Sequence, residues 1–271
     1  MIKKIIKKMF GNKKQKLSIL KNKKTDIEAD KGIDLSVYNT KYYVAKDNPL
    51  KFSSARHIIS VISKYYKPSS VIDMGCGNGI FLKCWQESSA NEILGLDGNN
   101  IDDAALFILR DNFKSVNFEN YKNQNNKKYD LAMSCEVAEH IPQDKSELFI
   151  ANLCSFSDFI LFSAAIPYQD GLNHVNCQPL KYWVDIFEKQ GYACFDFIRP
   201  QLLNKHEEIL SWYLQNILFF CKNDKKFILE QNSKSKEELN ETKNPFMFYH
   251  YSRVESIVKQ LENNNLYFKR R

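Results

Sequence analysis

No apolar run in the 271 residues approaches the ~20 needed to span a bilayer, so no transmembrane helix is expected. The amino terminus also lacks the continuous apolar stretch of a signal peptide. Cysteine pairs are missing too: Cys76, Cys84, Cys135, Cys154, Cys177, Cys194 and Cys221 contain no C-x-x-C spacing and sit mostly in apolar segments. They read as small core hydrophobes of a chain kept reduced in the cytoplasm, and no metal site is expected. Positive charge is absent where a nucleic-acid binder would carry it. The formal charge is +7, but residues 1–24 hold ten lysines and no acid, and removing those ten leaves the remainder at −3. That remainder has no basic stripe interleaved with aromatics, which argues against a preformed phosphate-tracking groove and against nucleic acid as a partner.

The 44% hydrophobic content suffices for one α/β core with an appendage. Its organising stretch is Val71–Leu82, VIDMGCGNGIFL: a short apolar run, one acid, three glycines at alternate positions and an apolar run at helical spacing. This predicts a strand, a tight turn and a helix. Gly75, Gly77 and Gly79 permit positive φ and close approach of a ligand, and the first helical N–H groups face the same place. A nucleotide-like cofactor is the natural occupant. The dinucleotide pattern G-x-G-x-x-G is not met, because Ile80 stands where the third glycine belongs. That disfavours NAD and an oxidoreductase. A second strand ends at Asp97, 20 residues after Gly77, where a carboxylate suits a ribose diol.

With Asp73, the three glycines and Asp97, the segment from about Ser54 to about Cys221 resembles the class I S-adenosylmethionine (SAM) dependent methyltransferases. The resemblance implies a Rossmann-like, doubly wound α/β fold: a seven-stranded, mostly parallel sheet with helices on both faces. The expected division is a lysine-rich leader at 1–30, the methyltransferase domain at 31–222, and a polar linker with a closing helix, Phe246–Leu261, at 223–271. The resemblance implies cofactor contacts from Asp73, Gly75, Gly77, Gly79, Asp97 and Gly98. It adds Asn120 and Tyr121 beyond the third strand (Val116–Phe118), although Asn120 stands where the family commonly has Asp. Cys135 and Glu136, in the CEVAEHIP stretch after the fourth strand, complete the set.

Other segments leave alternatives open. The leader alternates Ile2, Ile5, Ile6, Met9 and Phe10 with lysines, which suits either an amphipathic anchor on anionic membrane or a solvated tail. Tyr38, Tyr42 and Tyr43 precede the helix Ser54–Tyr66 and either cap the cofactor or cover the core edge. Helices are expected at Asn99–Leu109, Asp144–Phe156 and Leu180–Gln190. Arg199 either meets an anionic acceptor or is solvated, and 222–244 reads as a linker or mobile loop. The closing helix packs either on the domain or on a second subunit in a homodimer.

After the fifth strand, Phe159–Ser163, residues 164–179 form a loop at the carboxyl edge of the sheet, rich in Tyr168, Gln169, Asn173, His174, Asn176 and Gln178. Its GLNHVNCQPLKYW run resembles methyltransferases encoded with bacterial capsule and lipopolysaccharide assembly. That resemblance implies a small-molecule, nucleotide-linked or sugar acceptor, one candidate being a phosphoramidate precursor. His174 is the expected general base or acceptor-orienting group, with His140 second, since an imidazole titrates near neutral pH and the neighbouring amides can fix its tautomer. The reading from a different class is a SAM-binding scaffold without turnover.

Overall fold

The computed structural model describes residues 48–118, 121–123 and 126–250. Seven strands form one sheet: β1 Ser70–Met74, β2 Glu92–Asp97, β3 Phe113–Ser115, β4 Leu131–Cys135, β5 Phe159–Ser163, β6 Tyr192–Phe195 and β7 Leu218–Lys222. Their order is β3-β2-β1-β4-β5-β7-β6. The first five run parallel, and β7 lies antiparallel between β5 and β6.

Successive strand residues point to opposite faces, and both faces are buried, so these strands read as continuous apolar runs. Val71, Met133, Leu161 and Phe219 join one core, together with helices α1 (Asn48–Ile62), α2 (Ile80–Ser88), α5 (Ile198–Leu202) and α6 (Ser211–Asn216). Ile72, Ala132, Phe162 and Phe220 join the other, with α3 (Ser146–Cys154) and α4 (Leu180–Lys189). Phe187 of α4 stacks on Phe220 with ring centroids 3.9 Å apart. Each such side chain, fully removed from water, contributes about 1.5–3 kcal/mol.

The strand order reverses between β1 and β4, and a crevice opens there at the carboxyl ends of the parallel strands, where open α/β sheets take their ligands. The loops after β1, β2, β4 and β5 meet at this edge.

Several segments depart from expectation. In place of a helix over Asn99–Leu109 there are two 3-10 turns, Asp103–Ala105 and Arg110–Asn112. Asn and Asp at the start of this stretch favour turns over helix, and the Phe107 amide is drawn to the carbonyl of Asn78 in the glycine turn (2.9 Å). The third strand falls at Phe113–Ser115, just before the expected Val116–Phe118. The polar stretch read as a linker packs on the domain instead. Its helices α7 (Lys226–Asn232) and α8 (Lys236–Leu239) bury Leu229 and Leu239, and Glu241 bridges to Phe195. One buried leucine per short helix is too sparse to give a periodic signal. Residues 246–250 are irregular, not helical. The rest of the expected closing helix, the lysine leader and the three tyrosines lie outside the described residues. Among the described residues no helix is long and apolar enough to cross a membrane.

Candidate active site

At the end of β1 the chain turns through Gly75, Gly77 and Gly79 at φ 91°, 52° and 83°. The turn is tied to the end of β2: the Gly75 and Cys76 amides donate to the carbonyl of Leu96 (2.7 and 3.0 Å). The Gly77 amide donates to Oδ2 of Asp97 at 2.8 Å, and the Asn99 amide to its Oδ1 at 2.9 Å. Gly75 is required on two counts, since its φ is left-handed and a Cβ there would overlap Val137. Helix α2 starts directly after Gly79, so its N-terminal end faces the crevice.

Past β4, Glu136 takes φ 58°, a left-handed conformation for a residue with a side chain. Such strain persists only where the surroundings enforce it. Here Gln169 Nε2 donates to its Oε2 at 2.7 Å, and Asn216 Nδ2, fully buried on α6, donates to its Oε1 at 3.1 Å. The next turn, Ala138–His140, carries Glu139 and His140. The loop after β5 is latched onto this turn, because the amides of Val175 and Asn176 both donate to the backbone carbonyl of Glu139 (3.0 and 2.9 Å). The latch sets the His174 ring 4.9 Å, centroid to centroid, from that of His140.

These elements enclose a cavity of about 470 Å³, in the range of small-molecule sites. Among the described residues, Asp73, Asp97, Glu136, Glu139 and Asp170 line it, against one lysine, Lys51. Asp73 is 3% exposed and its Oδ1 has no hydrogen-bond partner. Burial, then the charge of Asp97, pushes its carboxyl well above the usual range. Burial raises Asp97 as well, against the pull of the Asn99, Gly77 and Gly98 amides. Glu139 is 1% exposed with neither carboxylate oxygen hydrogen-bonded. Burial first, then the charge of Glu136, pushes it well up, and the nearby amides of Glu139 and Ala165 oppose this without reaching hydrogen-bond geometry. Burial lowers His140, partly offset by the Asn173 carbonyl.

Of the residues singled out from sequence, Asp73, Gly75, Gly77, Asp97, Gly98, Cys135, Glu136, His140 and His174 line the cavity. Gly79 does not. Its role is conformational, at the left-handed N-cap of α2, where a Cβ would press on Ile108. Tyr121 is also outside the lining: it stacks against Phe156 on the second core. Asn120 lies outside the described residues. Arg199 is neither solvated nor at the site, being 2% exposed, paired with Asp196 and bonded to the Gln215 carbonyl (2.7 Å). The His174 Nδ1 faces the backbone carbonyl of Gln169 at 3.2 Å and the Cys177 Sγ at 3.5 Å, so main chain and a thiol, rather than a side-chain amide, meet this nitrogen. Asn176 and Gln178 brace the loop from behind, Asn176 on Ser146 and Gln178 on Asn176 (both 2.9 Å). Gln169, from the loop expected at the ligand edge, lines the wall, as do Trp212 and Tyr213 from the insertion between the last two strands, where an acceptor-side wall is expected; sequence reasoning missed Glu139, whose local signal was its place between Glu136 and His140.

No curated protein matches the sequence. Among solved structures, the chain is similar to a DhpI–SAM–HEP complex at 16% identity, covering 69% of this chain and 95% of that one, with a TM-score of 0.49. It is similar to magnesium protoporphyrin IX methyltransferase (ChlM) from Synechocystis PCC 6803 with bound SAH, at 15% identity, 65% and 84% coverage and a TM-score of 0.44. The methyltransferase domain of bacterial CtHen1-C is a third, at 18% identity, 64% and 98% coverage and a TM-score of 0.45. A methyltransferase-domain family model matches residues 21–157, half of the chain, and the chain belongs to that family.

Proposed function

We propose that this methyltransferase moves a methyl group from SAM to an oxygen of a small-molecule acceptor of the sugar type, in the assembly of a bacterial surface polysaccharide; a phosphoramidate precursor is one such acceptor. The observation that carries the cofactor reading is the charge of the pocket. Among the described residues, carboxyl groups gather around a glycine turn with one lysine in the lining, which suits a ligand bearing ammonium and sulfonium charges better than a pyrophosphate. Asp73, buried with an unsatisfied oxygen, fits an ammonium group. The Asp97 carboxylate offers about four lone-pair positions. The Gly77 and Asn99 amides take two of these, leaving capacity for a ribose diol.

When bound, SAM would supply a methyl carbon made electrophilic by its sulfonium, with the S–C electron pair staying on sulfur and the acceptor's hydroxyl proton passing to His174. The chain's part is in-line positioning, worth up to ~7–11 kcal/mol for well-oriented reactants. Glu136, clamped by Gln169 and Asn216, holds the strained turn that separates the glycine end from the histidine end. His174, with His140 beside it, activates the acceptor hydroxyl. The sugar-type acceptor rests on the GLNHVNCQP loop, which brings His174 to the cavity. The lysine leader would hold the enzyme against anionic lipid close to such an acceptor.

The test is release of S-adenosylhomocysteine by the full chain in the presence of SAM and a panel of nucleotide sugars, free sugars, phosphoramidates and peptides. Turnover that depends on a sugar-type or phosphoramidate acceptor supports the reading. Turnover with peptides alone contradicts the acceptor class while leaving the methyl transfer intact.

A further inference from the structure

We propose that Glu139, His140 and His174 together hold a first-row divalent metal ion at the acceptor end of the pocket. The use of such an ion rests on the methyl-transfer reading; its binding does not.

Glu139 supplies the first reason. It is 1% exposed and neither carboxylate oxygen has a hydrogen-bond partner. A buried carboxylate in this state is costly unless a cation or a proton meets it, and the site offers the means to hold a cation. His174 Nε2 lies 3.9 Å from Glu139 Oε1. One donor atom from each of Glu139, His140 and His174 can be chosen so that all lie within 4.8 Å of one another. A tetrahedral ion with bonds of ~2.1 Å places its donors ~3.4 Å apart, so the widest pair closes by at most ~1.4 Å.

Both imidazoles are held at Nδ1 by a backbone carbonyl. His140 Nδ1 faces the Asn173 carbonyl at 3.1 Å, and His174 Nδ1 faces the Gln169 carbonyl at 3.2 Å. A carbonyl only accepts, so a proton on Nδ1 satisfies it in both rings and makes Nε2 the ligating nitrogen, with the Cys177 Sγ also 3.5 Å from the His174 Nδ1. Backbone carbonyls behind ligating histidines commonly set this tautomer at metal centres. The support is rigid as well. The Val175 and Asn176 amides fasten the His174 loop to the Glu139 carbonyl, and Gly171 has no side chain to displace the His174 ring.

Donor chemistry selects the ion. Two imidazoles and one carboxylate suit Zn2+, Co2+, Mn2+ or Fe2+ better than Mg2+ or Ca2+, which prefer all-oxygen shells. Three protein ligands leave positions open toward the cavity. An acceptor hydroxyl bound there would lose its proton more readily, and His174 would then act on the acceptor as a ligand rather than as a free base. Sequence spacing points to no metal site because the third donor arrives from the loop after β5, in a different segment of the chain.

The experiment is a titration of EDTA-treated full-length protein with Co2+, followed by visible absorption, with affinity for S-adenosylhomocysteine measured on the same samples. We expect one Co2+ per chain with d–d bands, displaced by Zn2+. Glu139→Gln, His140→Ala and His174→Ala should each weaken Co2+ binding by ~100-fold or more while keeping wild-type affinity for S-adenosylhomocysteine, which also shows that they fold. Glu139→Gln replaces the buried charge by a neutral side chain of the same shape, so it remains a usable variant if the histidine changes unfold the loop. Failure of the wild type to bind Co2+, Zn2+ or Mn2+ stoichiometrically overturns the proposal, as does undiminished binding by the variants. Stoichiometric Co2+ without binding of S-adenosylhomocysteine would leave the metal site standing and overturn the methyl-transfer reading.

Discussion

At the β1–β2 end of the pocket the wall is mostly main chain, turned by glycines and tied to Asp97, whereas at the β4–β5 end it is made of side chains carried by two loops and braced from α6. The first end is local: Gly75, Gly77 and Asp97 belong to two adjacent strands and the turn between strand and helix. The second is assembled at long range, with Asn216, Gln169 and Glu136 meeting although they come from three distant stretches. A main-chain wall depends on a few positions that admit no Cβ, and a side-chain wall depends on braces that can be removed one at a time. The contrast suggests a division of labour, with a fixed seat for a common cofactor beside an adaptable seat for a particular acceptor.

The largest effect should come from breaking the main-chain end. Gly75→Ala puts a Cβ into Val137 at φ 91°, combining backbone strain of ~1–3 kcal/mol with overpacking of ~1–3 kcal/mol. Chemical denaturation should show a loss of ~2–6 kcal/mol, and SAM binding should weaken with it. At the side-chain end the fold should be spared and the chemistry lost. His174→Ala should lower kcat by ~10²–10⁴, about 3–5 kcal/mol in the barrier, with SAM affinity near wild type. Steady-state kinetics beside a binding titration separates the two ends.

A smaller effect sharpens the comparison through pH. The folded-state pKa of Asp73 is raised, so the fold favours its protonated form. Its contribution to stability is therefore fully present below the unfolded value, 3.8, and is lost as pH rises toward the folded value. Without cofactor, Asp73→Asn should match the wild type near pH ~4 and exceed it at pH ~8, gaining at most ~1.4 kcal/mol per pH unit across that window. Urea unfolding at the two pH values measures the difference.

The sequence was most legible where one segment sufficed. β5 is a buried apolar run and falls at Phe159–Ser163 as expected, and the glycine turn announces itself because only glycine fits its backbone. The carboxylate of Asp97 follows from its position at a strand end. What was hidden depends on juxtaposition. Glu139 looks like one more acid in a turn until the β5 loop closes over it, and Asn216 looks like a helix-end amide until it meets Glu136. Arg199 invited an acceptor role through its place between the last two strands, and its pairing with Asp196, three residues earlier, becomes plain only when both are buried. Residues 99–109 misled through their alanines and leucines, since helix propensity lost to the hydrogen bond between the Phe107 amide and the glycine turn.

The central claim, that this pocket seats SAM through Asp97 and the glycine turn, is tested most directly by titration calorimetry on wild type and Asp97→Ala. The account predicts that the wild type binds SAM and S-adenosylhomocysteine and not NAD. The variant should lose two charge-assisted bonds of ~1.5–3 kcal/mol each, a weakening of about 100-fold or more. Equal affinity in the two proteins, or binding of NAD by the wild type, would contradict it.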